Sequence, residues 1–185
     1  MNCKICDSEK TKIWFDDKDY FTCLDCDCIF RSRLSTIPTI PTIQDNLKEK
    51  LGVVISKRFW SIVANQYVKY LKTKTGLKFK TVFDIGSAYG HFVKKLEEND
   101  IDAVGIEKAQ RTYDGRVTDK IKLGYFDEST NLDRKYDLIC LTQMIYYLND
   151  PVFVLNNVKK FLNPGGFIFI STYSVISPFL KNIQK

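Results

Sequence analysis

The sequence contains no apolar stretch of the roughly 20 residues that a membrane-spanning helix requires. Its first residues include Cys3 and Lys4 and do not form the apolar core of a secretory signal peptide. Internal repeats and low-complexity tracts are also absent. These absences predict a cytoplasmic protein with no transmembrane segment, and cysteines stay reduced in that compartment.

The residues that are present supply enough apolar material for one folded domain. Of the 185 residues, 44% are hydrophobic and 14% are aromatic, which predicts a sizeable core and a small additional segment. Basic residues outnumber acidic ones by nine to two between residues 36 and 80. This excess could bind an acidic partner such as RNA or a nucleotide-linked substrate, but lysines beside apolar residues at 67–74 favour a solvated helix face.

Four of the six cysteines form two Cys-x-x-Cys pairs near the N-terminus. Strand-like runs at 12–15 and 20–23 lie between the pairs and are joined by a polar turn at 16–19. Four thiolates on two-residue loops can surround one tetrahedral ion and leave no position for a reactive water. The sequence therefore predicts a structural zinc ribbon over residues 1–35, whose folding depends on the metal. The predicted ligands are Cys3, Cys6, Cys23 and Cys26.

Two cysteines lie outside this set. Cys28 is close enough in sequence to compete as a ligand, whereas Cys140 lies in an apolar run and is predicted to be a core residue. The cysteine spacing does not distinguish zinc from another tetrahedral metal.

The remaining chain has the pattern of an α/β domain. Residues 36–56 are predicted to be a linker because Pro38 and Pro41 disfavour a helix, and apolar residues at helical spacing predict a helix over 57–75 that ends at Gly76. Beyond residue 80, apolar strands alternate with helices, which predicts a doubly wound, mostly parallel sheet covered on both faces. The predicted strands are 81–85, 103–106, 121–125, 136–142 and 167–172, and the predicted helices are 91–99 and 151–162.

The most specific motif is Val-Phe-Asp-Ile-Gly-Ser-Ala-Tyr-Gly at residues 82–90. It joins the first strand of the domain to a helix, at the edge of the sheet where ligands of this architecture bind. The dinucleotide pattern Gly-x-Gly-x-x-Gly is absent, and no Gly-Lys-Ser/Thr phosphate loop follows. The glycine spacing fits S-adenosylmethionine, with its carboxylate near the N–H groups that open the next helix.

Two acidic residues complete this predicted cofactor site. Asp84 would face the amino group of S-adenosylmethionine, and Glu107 offers two acceptor oxygens to the ribose hydroxyls. Taken singly, the turn is equally typical of a plain strand-to-helix connection and Glu107 of a solvated loop acid, but their order and spacing favour a cofactor site. The residues predicted from this motif to bind the cofactor are Asp84, Gly86, Ser87, Ala88, Gly90 and Glu107.

Across residues 55–175 the chain resembles the class I S-adenosylmethionine-dependent methyltransferases. Residues 82–92 resemble the first motif of that family, Val104-Gly-Ile-Glu the second and residues 136–141 the fourth, and Asn163-Pro-Gly-Gly resembles the turn before the fifth strand. Four matches in the order of the family make this resemblance specific. It implies that the protein is a methyltransferase, and the positive sulfonium of the cofactor makes a catalytic metal unnecessary.

The resemblance also assigns further residues. It places the adenine near Tyr125, Phe126 and Asp127, with Asp127 as an acceptor for the exocyclic amine, and it places Gln143 beside the cofactor and the acceptor. Aromatic residues in this loop are equally typical of a core. Members of the family with an N-terminal four-cysteine zinc module include enzymes that act on sugars, which implies a sugar or nucleotide-linked sugar as the first choice of acceptor.

The sequence departs from relatives in two places. Where some carry Glu-His after the fourth strand, this chain has Tyr146-Tyr147, which excludes a histidine base there. Tyr147 and His91 are therefore the candidate catalytic residues, although Tyr147 is also typical of aromatic packing and His91 of a helix start near the methionyl group. Only thirteen residues follow Thr172, so we expect either a homodimer through the 167–172 edge strand or a fragment of a longer protein.

The sequence thus predicts a methyltransferase domain over residues 57–185, preceded by a zinc ribbon and a linker. The expected acceptor is a small molecule. Two alternatives remain open: an RNA or protein methyltransferase that docks through the basic 48–80 segment, and a non-catalytic module that binds the cofactor. The sequence leaves the acceptor atom, the general base and the oligomeric state undetermined.

Overall fold

The computed structural model describes residues 1–14, 17–31, 46–127, 129–148 and 150–172. The N-terminal segment forms a three-stranded antiparallel sheet of strands β1 (Thr11–Trp14), β2 (Asp17–Cys23) and β3 (Ile29–Arg31). The prediction of a polar turn at 16–19 is wrong for Asp17 and the two residues after it, because β2 already begins at Asp17, which pairs with Trp14. The third strand was not predicted, since three residues are too few to show an alternating pattern.

A 30-residue helix, α1 (Asn46–Thr75), precedes the main sheet. It begins eleven residues before the predicted start, so the last part of the predicted linker is helical, while residues 36–45 lie outside the described residues. No proline follows Pro41 in this region, and nothing in the sequence therefore breaks the helix there. Gly76, with a φ of 62°, ends the helix as predicted. In the part of the chain that the structure describes, none of the helices combines the length and the apolar character that a membrane span requires.

The main domain contains a five-stranded sheet in which every pairing is parallel. The strand order is β6-β5-β4-β7-β8, and the chain changes direction across the sheet at β4. The prediction of a doubly wound α/β fold is confirmed. Its elements are β4 (Thr81–Ile85), α2 (His91–Glu97), β5 (Asp102–Glu107), α3 (Gln110–Asp114), β6 (Ile121–Leu123), β7 (Tyr136–Thr142), a 3-10 turn (Ile145–Tyr147), α4 (Pro151–Lys159) and β8 (Leu162–Ser171).

Apolar side chains fill both faces of this sheet. One core joins α1 and α2 to the sheet and includes Val68, Leu71 and Leu96. The other lies beneath α4 and includes Ile139 and Val158. Each fully buried side chain of this size contributes about 1.5–3 kcal/mol relative to an exposed one, so the two cores fix the sheet between its helices. Cys140 is buried in the first core, as predicted.

Alternation along β4 directs the side chains at its carboxyl end. Val82 lies in the core below α1 and α2, whereas Phe83 and Ile85 lie in the core below α4. Asp84 therefore points to the α1 and α2 face, beside the first core. A buried carboxylate at the end of a central strand is the feature from which the site below is built.

The strand β8 begins at Leu162, five residues earlier than predicted. Tyr136 pairs with Leu162 and Leu138 with Phe167, so residues 163–166 form an irregular bulge within the strand pairing. Among the described residues β8 pairs with β7 alone. Self-association through this edge stays a prediction.

Candidate functional site

A cleft of about 400 Å³ lies beyond the carboxyl ends of β4, β5 and β7. It lies at the strand where the chain order reverses, which is where ligands bind in open parallel sheets. Two of the predicted cofactor-binding residues, Gly90 and Asp127, do not line the cleft. The predicted residues that do line it are Asp84, Gly86, Ser87, Ala88, His91, Glu107, Phe126, Gln143 and Tyr147.

The turn after β4 has a left-handed backbone conformation at three positions, two of which are glycines. Gly86, Ala88 and Gly90 all have positive φ values, of 74°, 49° and 79°. A Cβ atom on Gly86 would come within 2.7 Å of the Met144 side chain, so glycine lets this turn contact the segment after β7. A Cβ on Gly90 would meet Thr118 and would come within 2.9 Å of the Ile121 side chain, so glycine at this position permits close packing. Contact of Gly90 with a cofactor stays a prediction.

Glu107 holds this turn from the neighbouring strand. Its Oε2 atom accepts a hydrogen bond from the backbone N–H of Ala88 at 2.9 Å, and its Oε1 atom accepts one from Ala109 at 2.8 Å. The side chain is 9% exposed and lines the cleft. Each carboxylate oxygen can accept two hydrogen bonds, so both oxygens retain capacity for a ligand. Glu107 therefore positions the turn and also presents acceptors to the cleft.

Gly105 shapes the site by leaving room for the Ser87 side chain, and it is not among the predicted site residues. Its added Cβ would collide with the hydroxyl of Ser87, which donates to the backbone carbonyl of Asp84 at 2.7 Å. The sequence does show this glycine inside an apolar strand, and such a glycine often marks a close approach of another part of the chain. Its partner is eighteen residues away, and nothing local identifies that partner.

Asp84 is the most unusual group in the cleft. It is 1% exposed, and neither carboxylate oxygen has a hydrogen-bond partner among the residues that the structure describes. Burial raises the pKa of this carboxyl to about 8, and the negative charge of Glu107 adds to the shift. Such an unpaired buried carboxyl is costly and fits a ligand that brings a positive charge or a hydrogen-bond donor.

On the β5 and β6 side, the cleft is bordered by aromatic residues. Phe126 is 2% exposed and packs against Phe83 and Phe161, so it contributes an apolar wall from the core. Tyr125 is 44% exposed, with the Lys108 ammonium 5.4 Å from its ring centroid. The two rings give this side of the cleft flat apolar surfaces of the kind that a purine base contacts.

The carboxylate of Asp127 accepts hydrogen bonds from residues of its own loop. Its Oδ1 atom accepts hydrogen bonds from the backbone N–H of Ser129 at 2.9 Å, from the Ser129 hydroxyl at 2.7 Å and from Thr130 at 3.2 Å. These hydrogen bonds, with that of the Ser129 hydroxyl first, lower the pKa of the carboxyl. The side chain stabilises a turn, which explains why it does not reach the cleft.

The opposite side of the cleft is built from α1 and from the segment after β7. Trp60, Val63, Ala64 and Tyr67 line it at helical spacing. Their helical spacing in the sequence predicts an amphipathic helix but does not indicate that these residues line the site. Periodicity identified the apolar face, but it did not separate core contacts from contacts with an open cleft.

Gln143 lies in this half in a strained conformation, with a φ of 54°. Its backbone N–H donates to the carbonyl of Ser171 at 2.7 Å, and its side-chain amide donates to the Ser171 hydroxyl at 3.0 Å. The Ser171 hydroxyl donates in turn to the Tyr67 hydroxyl at 2.9 Å. This network connects α1, β8 and the segment after β7, and it fixes one wall of the cleft.

The two candidate catalytic residues both line the cleft. Burial lowers the pKa of His91, and the nearby charges of Lys57, Lys94 and Lys95 lower it further, so the imidazole is neutral near pH 7. Its buried Nε2 atom has no hydrogen-bond partner in the described parts of the chain. Tyr147 is 53% exposed, and its ring centroid lies 4.5 Å from that of Tyr146.

The four predicted metal ligands come together in the N-terminal segment. The Sγ atoms of Cys3, Cys6, Cys23 and Cys26 all lie within 4.8 Å of one another, and two of the pairs are 3.6 Å apart. Tetrahedral coordination with zinc–sulfur bonds of about 2.3 Å gives sulfur–sulfur separations of about 3.8 Å, so the geometry fits such an ion. Backbone N–H groups of Ile5 and Asp25 donate to two of the sulfurs. The arrangement fits a tetrahedral metal centre.

These features define a doubly wound domain with a cleft suited to a nucleoside-containing cofactor. A family model described as a methyltransferase domain matches residues 58–183, which is more than half of the chain. The chain belongs to this family of methyltransferase domains.

Individual relatives are more distant. The ubiquinone biosynthesis O-methyltransferase of Hydrogenovibrio crunogenus is 22% identical over 57% of this chain and 47% of its own length. The tRNA U34 carboxymethyltransferase of Campylobacter fetus is 31% identical over 66% of this chain and 46% of its own. The chain therefore spans about half the length of the curated relatives it matches.

Solved structures support the fold. The plantazolicin methyltransferase BpumL, in complex with a substrate analogue and S-adenosylhomocysteine, superposes with a TM-score of 0.52. The match covers 68% of this chain and 53% of that protein at 18% identity. At this identity the similarity establishes the architecture alone.

The buried carboxyl of Asp84 predicts a specific pH dependence of stability. Its pKa in the folded protein, about 8, lies above the ordinary value of 3.8, so the folded state retains a proton that the unfolded state releases. The stability that depends on protonated Asp84 is complete below the ordinary value and is lost as the pH rises to about 8. Because Asp84→Asn cannot ionise, its free energy of unfolding should rise relative to wild type by at least about 1 kcal/mol between about pH 5 and pH 9.

Denaturant unfolding at several pH values measures this difference. Asp102→Asn is the matched control. Asp102 is the first residue of β5, at the end of the strand away from the cleft, and its hydrogen bond with Arg134 lowers the pKa of its carboxyl. Its difference from wild type should stay constant over the same range. A constant difference for Asp84→Asn as well would contradict the assigned burial of this charge.

Proposed function

We propose that this protein is an S-adenosylmethionine-dependent methyltransferase. The observation that carries the proposal is the pairing of an unpartnered, buried Asp84 with a Glu107 that is fixed by two backbone N–H groups, side by side in one cleft. The cofactor has a cationic amino group and two vicinal ribose hydroxyls, and these groups are the chemical complements of the two carboxyls. Membership in the methyltransferase-domain family supports the same assignment.

Each residue then has a defined task. Asp84 accepts from the amino group directly or through water, Glu107 accepts from the ribose hydroxyls, and the turn at 86–88 follows the methionyl group. Bound S-adenosylmethionine supplies a methyl group that its sulfonium already activates. The protein has to orient the acceptor and exclude water, and the apolar walls of the cleft serve both purposes.

A proton must leave an oxygen or nitrogen acceptor during the reaction. His91 is our candidate for the base, because it is neutral near pH 7 and lines the cleft. Tyr147 is assigned to the shape of the acceptor pocket. These two roles rest on position and on the protonation state of the imidazole.

The proposed acceptor is a small molecule, and a sugar or nucleotide-linked sugar is the choice that the zinc-module resemblance favours. RNA is the second candidate, because Arg58, Lys69 and Lys72 are exposed on α1 and one relative carries the name of a tRNA-modifying enzyme. A protein acceptor and a non-catalytic module complete the alternatives. Labelled cofactor incubated with separate metabolite, RNA and protein fractions distinguishes them by the fraction that becomes labelled.

We further propose that the four-cysteine cluster holds a structural zinc ion. The cluster has four ligands, and among the residues whose burial the structure describes, the small core around it contains three buried residues, Cys3, Cys23 and Phe30. The metal would therefore supply most of the stability of this segment. A shell of four sulfurs has no open position for a reactive water. The ion therefore takes no part in the proposed methyl transfer.

The ribose assignment predicts the effect of replacing Glu107. Glu107→Ala should weaken binding of S-adenosylhomocysteine at least about tenfold, because each hydrogen bond to a charged group contributes about 1.5–3 kcal/mol. Glu107→Gln should lie between it and wild type, since one carbonyl oxygen remains. Isothermal titration calorimetry gives the affinities, and thermal unfolding shows whether each variant is folded.

The control for this experiment is again Asp102→Asn, which removes a carboxylate from the same strand outside the cleft. Its affinity should match wild type. A folded Glu107→Ala variant with wild-type affinity would remove the ribose assignment, and a wild-type protein that fails to bind would remove the proposed function.

The zinc assignment predicts a difference between two neighbouring cysteines. Cys23→Ser removes a buried ligand and should abolish stoichiometric zinc, whereas Cys28→Ser should retain it, because the Cys28 thiol is directed to the Ile29 carbonyl at 3.7 Å. Elemental analysis of the purified variants measures the metal. Equal zinc in both variants, or loss in both, would contradict the assigned ligand set.

A further inference from the structure

The cleft has two halves, which lie on opposite sides of the central strand β4. Glu107 and Tyr125 follow β5 and β6 on one side of β4, while Gln143 and Tyr147 follow β7 on the other. The proposed function uses the first half, together with Asp84, for the cofactor. The second half is left for the acceptor, and the following inference therefore rests on the proposed function.

The acceptor half is lined mainly by flat and apolar side chains. Trp60 and Tyr67 come from α1, and Met144, Tyr146 and Tyr147 come from the segment after β7. No Asp, Glu, Lys or Arg from the described residues of these two segments lines the cleft. Lys108, which does line it, lies beside Tyr125 in the cofactor half.

Four of the polar side chains in this half, those of Gln143, Ser171, Tyr67 and Tyr146, form one hydrogen-bonded group. The Gln143 amide donates to Ser171, and Ser171 donates to the Tyr67 hydroxyl, while the Tyr146 hydroxyl approaches the Gln143 carbonyl oxygen at 3.5 Å. A molecule with many hydroxyls would lose its hydrogen bonds to water here and find few replacements. Each unsatisfied polar group costs about 1–3 kcal/mol, and a phosphate would meet no cation among the described residues that line this half.

We propose that the methyl acceptor is an uncharged aromatic molecule with a phenolic hydroxyl, whose ring inserts between α1 and the segment after β7. Planar rings gain from stacking on Trp and Tyr side chains, and one hydroxyl demands few polar partners. The hydroxyl would face the cofactor half. This acceptor class differs from the sugar that the sequence resemblance favours, because the lining offers flat rings and, among the described residues of these two segments, no charged side chain.

Ligand binding to Trp60 tests the inference without turnover. The chain has two tryptophans, and Trp14 lies in the N-terminal segment, so Trp14→Phe leaves Trp60 as the only tryptophan. In the presence of saturating S-adenosylhomocysteine, catechol should quench this fluorescence saturably. The matched probe is cis-1,2-cyclohexanediol, which has the same two vicinal hydroxyls on a ring that is not planar, and methyl glucoside and uridine represent a sugar and a nucleobase.

We expect catechol to bind at least about tenfold more tightly than the diol or the glucoside, because aromatic pairs add about 0.5–1.5 kcal/mol for each ring contacted. Tyr147→Ala should weaken catechol binding about fivefold. Tyr70→Ala is the matched control, since Tyr70 lies on α1 outside the cleft and is 52% exposed, against 53% for Tyr147. Its affinity should match that of the parent protein.

The outcomes separate this inference from the proposed function. If S-adenosylhomocysteine binds but the diol, the glucoside or uridine binds as tightly as catechol, the aromatic acceptor is wrong and the proposed function stands. The same holds if catechol does not bind, or if Tyr147→Ala and Tyr70→Ala behave alike. If S-adenosylhomocysteine itself does not bind, the proposed function fails and this inference fails with it.

Discussion

The cleft depends on one carboxylate that joins two loops. Glu107 ends β5 and accepts hydrogen bonds from Ala88 in the turn after β4 and from Ala109 in the loop after its own strand. Hydrogen bonds to a charged acceptor are stronger than neutral ones, and here they fix a turn whose Ala88 has an unfavourable positive φ. Without Glu107, the turn would keep the backbone hydrogen bonds from Gly86 and Ser87 to Ile106 of β5, but it would lose the hydrogen bond that fixes Ala88.

That arrangement has an electrostatic cost, which falls on Asp84. Its carboxyl is buried, has no hydrogen-bond partner in the described structure and lies close to the charge of Glu107. The protein keeps it protonated up to about pH 8, and a cationic ligand would reverse this preference. Stability and ligand affinity thus oppose each other at this residue, which is a common property of functional sites.

Local patterns in the sequence predict the five strands of the main sheet, the turn after β4 and the four-cysteine cluster. The turn was recognisable because glycine spacing and the order of strand and helix are properties of a few adjacent residues. Asp127 shows the limit of this reasoning, because its Oδ1 atom accepts hydrogen bonds from Ser129 and Thr130 in its own loop and the residue does not line the cleft. Competition from neighbouring backbone groups is decided by conformation, and the sequence does not reveal it.

Long-range contacts account for the remaining differences. Gly105 is required by Ser87, and the wall of the acceptor half depends on Tyr67 and Ser171, which are 104 residues apart in the chain. No periodicity in the sequence connects such residues. The pattern therefore predicts that α1 is a helix, but it does not predict that α1 lines the cleft. Its early start at Asn46 was also missed, because two prolines biased the preceding segment toward a linker.

The most direct test of the central claim is a crystal structure of the protein with S-adenosylhomocysteine. The account predicts both ribose hydroxyls within about 3 Å of the Glu107 carboxylate, and the amino group facing Asp84 directly or through one water. A nucleoside bound elsewhere, or one whose ribose makes no contact with Glu107, would contradict it.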